Sequence, residues 1–296
     1  MSKFTHEEEA LLKLFQSEQN RRGEEEFARI FTEHDNVRVA FINEDRAFTD
    51  GRNIVVDPAE DKLFSDSEAI ENTLDFLHLP QKCSSWDALK LTTRSQDIHE
   101  CLHIIYTNPA FHDERCTTKT RLITLADIGN IIEDTYIEAV GASLYDNVEM
   151  YLKWGRVSRM FVKFPSEGTT SSRFRDVGVD PDSAAKLMYI QNYMATELLY
   201  PFIKLSEPTA ECAGYIQKVR PLYHKGAVAA SPMERHKYSC MIFDELEELI
   251  PDSEELLERD YLTGLLGGAE THSPFRCSAK PFVSEGKEQA VTRRLF

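Results

Sequence analysis

The sequence predicts an α+β fold, mostly helical, with a small β-hairpin or sheet beside a helix that carries a metal site, and a further helical region after it. Three observations carry that expectation. Two short runs, Val37–Ile42 and Arg52–Val56, alternate as strands and bracket the turn signal Asp50-Gly51. Segments with apolar residues at helical spacing lie on both sides of them. The run His99-Glu100-Cys101-Leu102-His103 reads H-E-x-x-H, and on a helix residues four apart lie one above the other.

Taken in order, Thr5-His6-Glu7-Glu8 has the form of a capping box, with Leu11, Leu12, Leu14 and Phe15 on the helix behind it. Phe27, Ile30 and Phe31 continue the helical pattern past Gly23. The Asp50-Gly51 turn joins the two strands in a hairpin. Residues 67–79 and 84–92 read as short helices or irregular connectors. Ser95-Gln96-Asp97 offers a helix start and Asn108-Pro109 a stop; between them Ile98, Cys101, Leu102 and Ile105 form an apolar stripe, with His99 and His103 on its flank. Residues 165–181, rich in Gly, Ser, Thr and Asp, read as a surface loop or linker. Helices follow over Ala184–Leu199, ended by Pro201, over Ser231–Leu249, and from Asp252 to Gly267-Gly268. The organisation is therefore a metal-site domain over 1–160, a linker over 161–183, a helical region over 184–268 packing on it, and a mobile tail over 269–296.

The chemistry of H-E-x-x-H follows from its spacing. His99 and His103 can grip one ion with two imidazole nitrogens, and Glu100, one position round, can reach a water on it. Zinc lowers the pKa of such a water and a carboxylate takes its proton. A third protein ligand is needed. Asn130, Asp134 and Glu138 share a helix face, with Glu133 beside them, so an acidic ligand and a second acid bonding a histidine N–H can both come from here. A third histidine in the H-E-x-x-H-x-x-G-x-x-H arrangement would stand at 109, which is Pro109. His112 reads as a loop residue, and His6, His34, His78, His224, His236 and His272 as surface or capping residues. Tyr106 and Tyr136 could bond a tetrahedral intermediate, although helical tyrosines more often pack.

The pair H-E-x-x-H and, some thirty residues on, N-x-x-E-D-x-x-I-E resembles the metallopeptidase-like region that precedes the von Willebrand factor A domain in cobaltochelatase-type proteins and their phage and bacterial relatives. Ala47-Phe48-Thr49-Asp50-Gly51-Arg52-Asn53-Ile54 resembles that family's T-D-G-x-x-I hairpin. The likeness covers roughly 35 to 155 and continues weakly to about 265. It implies a zincin-like fold, with zinc ligands at His99 and His103, Glu100 as general base, and Asp134 or Glu133 as third ligand, Asp134 being favoured. In zinc proteases of this layout, an edge strand beside the metal helix pairs with extended substrate. There is no D-x-S-x-S motif in the chain. The resemblance therefore implies either a separate von Willebrand factor A protein, working with an AAA+ ATPase, or a chain acting alone. The function expected is zinc-dependent hydrolysis of a protein or peptide substrate; the alternative is a non-catalytic, metal-stabilised interaction module.

Composition excludes other classes. A formal net charge of −16, from 34 Lys+Arg against 50 Asp+Glu, argues against binding nucleic acid through its phosphates. No stretch approaches the ~20 apolar residues of a membrane span, and the N-terminus lacks a signal-peptide core. Six cysteines, scattered and without a C-x-x-C pair, read as reduced thiols of a cytoplasmic protein, with Cys101 in the packing stripe. No internal repeat, phosphate-binding glycine loop or G-x-S-x-G is present.

Overall fold

A computed structural model describes residues 3–44, 47–79, 82–107, 113–162, 180–200 and 207–253. The elements are α1 (His6–Phe15), α2 (Glu18–Thr32), β1 (Arg38–Phe41), β2 (Phe48–Thr49), β3 (Asn53–Val56), a 3-10 turn (Glu60–Ser65), α3 (Ser67–Phe76), α4 (Ser85–Tyr106), α5 (Lys119–Leu144), α6 (Val148–Val162), α7 (Pro181–Leu199), α8 (Ala210–Ala227), α9 (Pro232–Leu246) and a short 3-10 turn (Glu247–Leu249). The protein is mostly helical with one small sheet, an α+β arrangement.

Local chemistry sets the boundaries. Thr5 and Glu8 form the capping box of α1, which buries Leu12 and Phe15. A second box, Ser84 with Asp87, starts α4. The helix that carries the histidines therefore begins at Ser85, ten residues before Ser95. Ser95-Gln96-Asp97 is not its cap but part of its buried middle, and the expected short element over 84–92 is its first half. With a real cap upstream, nothing draws those three side chains back to the backbone N–H groups, and they meet neighbouring elements instead. Gln96 holds the end of β3, donating to Asp57 O at 3.0 Å and accepting from Asp57 N at 2.7 Å.

The sheet differs from a simple hairpin of two long strands. Its order is β1-β3-β2. β1 runs parallel to β3, with Arg38 opposite Asn53 and Phe41 opposite Val56, while β2 pairs antiparallel with β3. The Asp50-Gly51 turn does make a hairpin, but joins β3 to the two-residue β2. Asp50 accepts from the N–H groups of Arg52 and Asn53, and Gly51 takes φ 85°, which a residue with a Cβ adopts only under strain. Strands 38–41 and 53–56 each expose one face and bury the other, Val39, Ile54 and Val56 meeting Ala28 of α2 and Cys101 of α4. Alternation gave both strands, but cannot distinguish parallel from antiparallel pairing. Outside β1, Arg21 and Arg29 of α2 donate to Val39 O at 3.1 Å and Val37 O at 2.9 Å, and Glu25 accepts from Val39 N. Along Val37 and Val39 that edge is thus occupied by helix side chains.

α4 is the axis of the structure, packed by α2, α5, α6 and β3. Its first half shares a core with α1, α3 and Trp154 of α6, whose indole N–H donates to Thr92 Oγ1. Its second half meets α5 and α6 through Ile98, Leu102, Tyr136, Ile137, Val148 and Leu152. Gly141 sets that approach, since a Cβ there would stand 2.6 Å from Leu102 Cδ1. The first half of α5 continues into another core with α7, α8 and α9, built on Ile128, Leu187, Val219 and Phe243. α5 thus belongs to both cores. α6 and α8 are helices the sequence reading did not single out; α8 holds Pro221 in its interior. The expected stop at Asn108-Pro109, the loop residue His112, the linker at 165–179, Pro201, the helix beyond residue 253 and the tail over 269–296 lie outside the described residues. Among the described residues, no helix is long and apolar enough to cross a membrane.

Candidate metal centre

α4 and α5 run side by side and bring His99, His103 and Asp134 together. Each is buried, at 5%, 8% and 3% exposure. Their donor atoms form a small triangle. His99 Nε2 lies 3.1 Å from His103 Nε2, His103 Nε2 lies 3.2 Å from Asp134 Oδ1, and His99 Nε2 lies 3.6 Å from Asp134 Oδ1.

The outer nitrogens fix the tautomers. His99 Nδ1 is 3.0 Å from Glu138 Oε1, and a carboxylate only accepts, so Nδ1 carries the proton. His103 Nδ1 is 3.0 Å from Thr107 Oγ1, whose own proton goes to Glu133 Oε2 at 2.9 Å. His103 Nδ1–H is therefore the donor there as well. Both Nε2 atoms are left with lone pairs, aimed at each other and at Asp134 Oδ1, a buried oxygen that accepts no hydrogen bond. Three acceptors facing one point with no proton among them repel one another, and a cation at that point removes the repulsion.

The dimensions fit an ion. Bonds of about 2.0–2.1 Å in a tetrahedron give edges of about 3.3–3.4 Å, against 3.1, 3.2 and 3.6 Å here. Asp134 Oδ2 accepts from the Arg156 guanidinium at 3.3 Å, a positive charge that favours the carboxylate form. Two imidazoles and a carboxylate form a ligand set suited to zinc and other first-row dications. Among the described residues, these donors can hold a metal ion.

Behind His99 directly, and behind His103 through Thr107, stands a carboxylate that a buried arginine holds in turn. Arg156 of α6 clamps Glu138 and donates to Asp134 Oδ2 at 3.3 Å, with Tyr200 against its remaining side. Burial opposes ionisation of Glu138, but Arg156 and then His99 prevail and its pKa is lowered. Arg235 of α9, fully buried, donates to Glu133 Oε1 at 2.7 Å and to the carbonyls of Ala229, Ala230 and Tyr106. Of the two acids left open by the sequence, Asp134 meets the imidazoles, whereas Glu133 is turned to Thr107 and Arg235.

Glu100 follows His99 on α4 and is 3% exposed; its charge reaches Asp97 and Cys101. Asp97, one turn earlier, is pushed well above the ordinary carboxyl range by burial and then by Glu24. Tyr136 lies beneath Arg235, 4.0 Å from ring centre to guanidinium, and Tyr106 packs edge-on against it, so both serve the architecture around the triad. Arg156, Arg235 and Thr107 are the participants that sequence reasoning did not find. Thr107 had a signal, standing four residues after His103 on the same helix face. The arginines had none, because each comes from a helix that folding alone brings in.

Comparison of the chain with protein-family models, with curated proteins and with solved structures gave no match.

Proposed function

We propose that the centre holds zinc and that the protein is a metallopeptidase-like hydrolase of zincin type, with Glu100 as the general base for peptide-bond cleavage. The observation that carries this reading is the buried triangle of His99 Nε2, His103 Nε2 and Asp134 Oδ1, with Glu100 between the two histidines in sequence. A bound zinc supplies Lewis-acid polarisation and an acidified water. The chain's own residues do the rest. Glu138 and Thr107 hold the imidazoles in the tautomer that presents Nε2. Glu100 takes the proton of the attacking water and passes it to the leaving amine nitrogen. Arg156 keeps Glu138 ionised and fixed, and Arg235 fixes Glu133. The resemblance noted above suggests that such a protein works beside an AAA+ ATPase and a von Willebrand factor A partner.

A second reading, a non-catalytic metal-stabilised module, is favoured by one observation: all three donor residues and Glu100 are nine-tenths or more buried. One comparison separates the two. Wild type and Glu100→Gln are incubated with unfolded protein and with a random peptide mixture, with a hydroxamate chelator as control. The hydrolase reading expects cleavage that falls about 10²–10⁴-fold in Glu100→Gln while metal content is unchanged. No cleavage by metal-loaded wild type, with equal partner assembly by both proteins, would establish the module instead.

A further inference from the structure

We propose a second metal site, on Asp113, His236 and Cys240, separate from the centre above. His236 and Cys240 are four residues apart on α9 and so share a face of that helix. Asp113 comes to them from the segment between α4 and α5. Cys240 Sγ is 3.0 Å from Asp113 Oδ2 and 3.5 Å from His236 Nε2, and His236 Nε2 is 3.4 Å from Asp113 Oδ2. Among the described residues these three and the His99 triad are the groups whose donor atoms converge closely enough to share an ion.

The lengths can be compared with a tetrahedral zinc. Bonds of about 2.3 Å to sulfur, 2.0–2.1 Å to nitrogen and 2.0–2.2 Å to oxygen give edges of roughly 3.5–3.6 Å for S···N, 3.3–3.5 Å for N···O and 3.5–3.7 Å for S···O. The first two match, and the third is short because the thiol proton lies in it, donated from Sγ to the carboxylate. A dication takes the place of that proton: the S–H bond breaks, a sulfur–metal bond forms, and the proton leaves to solvent. Arg115 holds Asp113 from the other side, at 3.2 Å from Oδ1 and 3.3 Å from Oδ2, and is anchored by Asp244 at 2.6 and 2.8 Å. Cys116 shares the Asp113 turn, closed by its N–H on Asp113 O at 3.1 Å.

The ligand class is a borderline-soft dication taking one sulfur, one nitrogen and one oxygen, zinc being the natural occupant. Bound there, it would tie the α4–α5 connection to α9. A purely structural thiol–carboxylate hydrogen bond would use the same atoms but take up no metal. His236 reads from the sequence as a surface or capping residue; the structure half-buries it, four residues before Cys240 on the same helix.

Sulfur distinguishes the two sites experimentally. The full chain, stripped with chelator, is titrated with Co2+ and followed for thiolate-to-cobalt charge transfer in the near ultraviolet, which two imidazoles and a carboxylate cannot give. The expected result is a band in wild type and in His99→Ala, displaced by Zn2+. Cys240→Ser should lose the band and one bound ion per chain. His236→Gln, at a partly exposed position, should weaken the band's half-saturation at least tenfold, and serves where Cys240→Ser does not fold. Absence of the band in saturated wild type, or its survival undiminished in Cys240→Ser, would overturn the proposal.

Discussion

Replacing Glu133 by alanine would strip the fully buried Arg235 of the carboxylate 2.7 Å from its Nε. Breaking a buried ion pair by removing one partner costs about 3–5 kcal/mol, because the other charge stays buried and uncompensated. Arg235 keeps the carbonyls of Ala229, Ala230 and Tyr106, so the loss should fall toward the lower end, about 3 kcal/mol. Glu133→Gln, which preserves an acceptor, should cost only about 1–2 kcal/mol. Metal affinity is a separate matter. Glu133 reaches the centre only through Thr107 and His103, so its loss should weaken binding by about tenfold or less, the bottom of the range for groups that orient a ligand. Urea denaturation in chelator gives the first quantity and Co2+ titration the second. Unchanged stability together with a more than hundredfold loss of metal affinity would refute the reasoning and make Glu133 a ligand.

The other predictions address neighbouring parts of the site. Asp134→Ala should weaken binding at this centre by well over the ~10–100-fold of an orienting group, as read by titration in a Cys240→Ser background. Gly141→Ala should destabilise by about 1–3 kcal/mol, since the new methyl meets Leu102 in a packed core, and should lower metal affinity by separating α4 from α5. A melting curve unchanged within error would remove that packing argument. Asp97→Asn should stabilise the metal-free protein at neutral pH. The Asp97 pKa is raised in the folded state by burial and Glu24. Above the ordinary carboxyl pKa the unfolded chain has released this proton and the folded chain has not, so stability falls as pH rises. The asparagine variant escapes that fall, and its advantage should grow from about pH 4 upward; a constant difference in denaturation midpoint across pH would contradict it.

Much of the site was legible because it is written in helical spacing. His99 and His103 are four apart, and Asp134 and Glu138 are four apart on another long helix, so each pair declares a face before folding. The parallel pairing of β1 with β3 was not legible. The Asp50-Gly51 signal specifies a turn but not which two strands it joins. The start of α4 was misplaced because Ser95-Gln96-Asp97 and Ser84 with Asp87 are both plausible caps locally, and only the burial of Ser95, Gln96 and Asp97 against neighbouring elements decides between them. Arg156 and Arg235 were invisible for a related reason: an arginine that becomes fully buried is identified by the carboxylates waiting for it, and those lie 18 and 102 residues away.

The central claim is that the α4–α5 triad holds a metal ion. Its most direct test is elemental analysis of wild type, His99→Ala and Glu100→Gln, each purified without added metal and shown to be folded. The account predicts that His99→Ala carries one ion per chain fewer than wild type and that Glu100→Gln carries the same number. Full wild-type metal content in His99→Ala would contradict it.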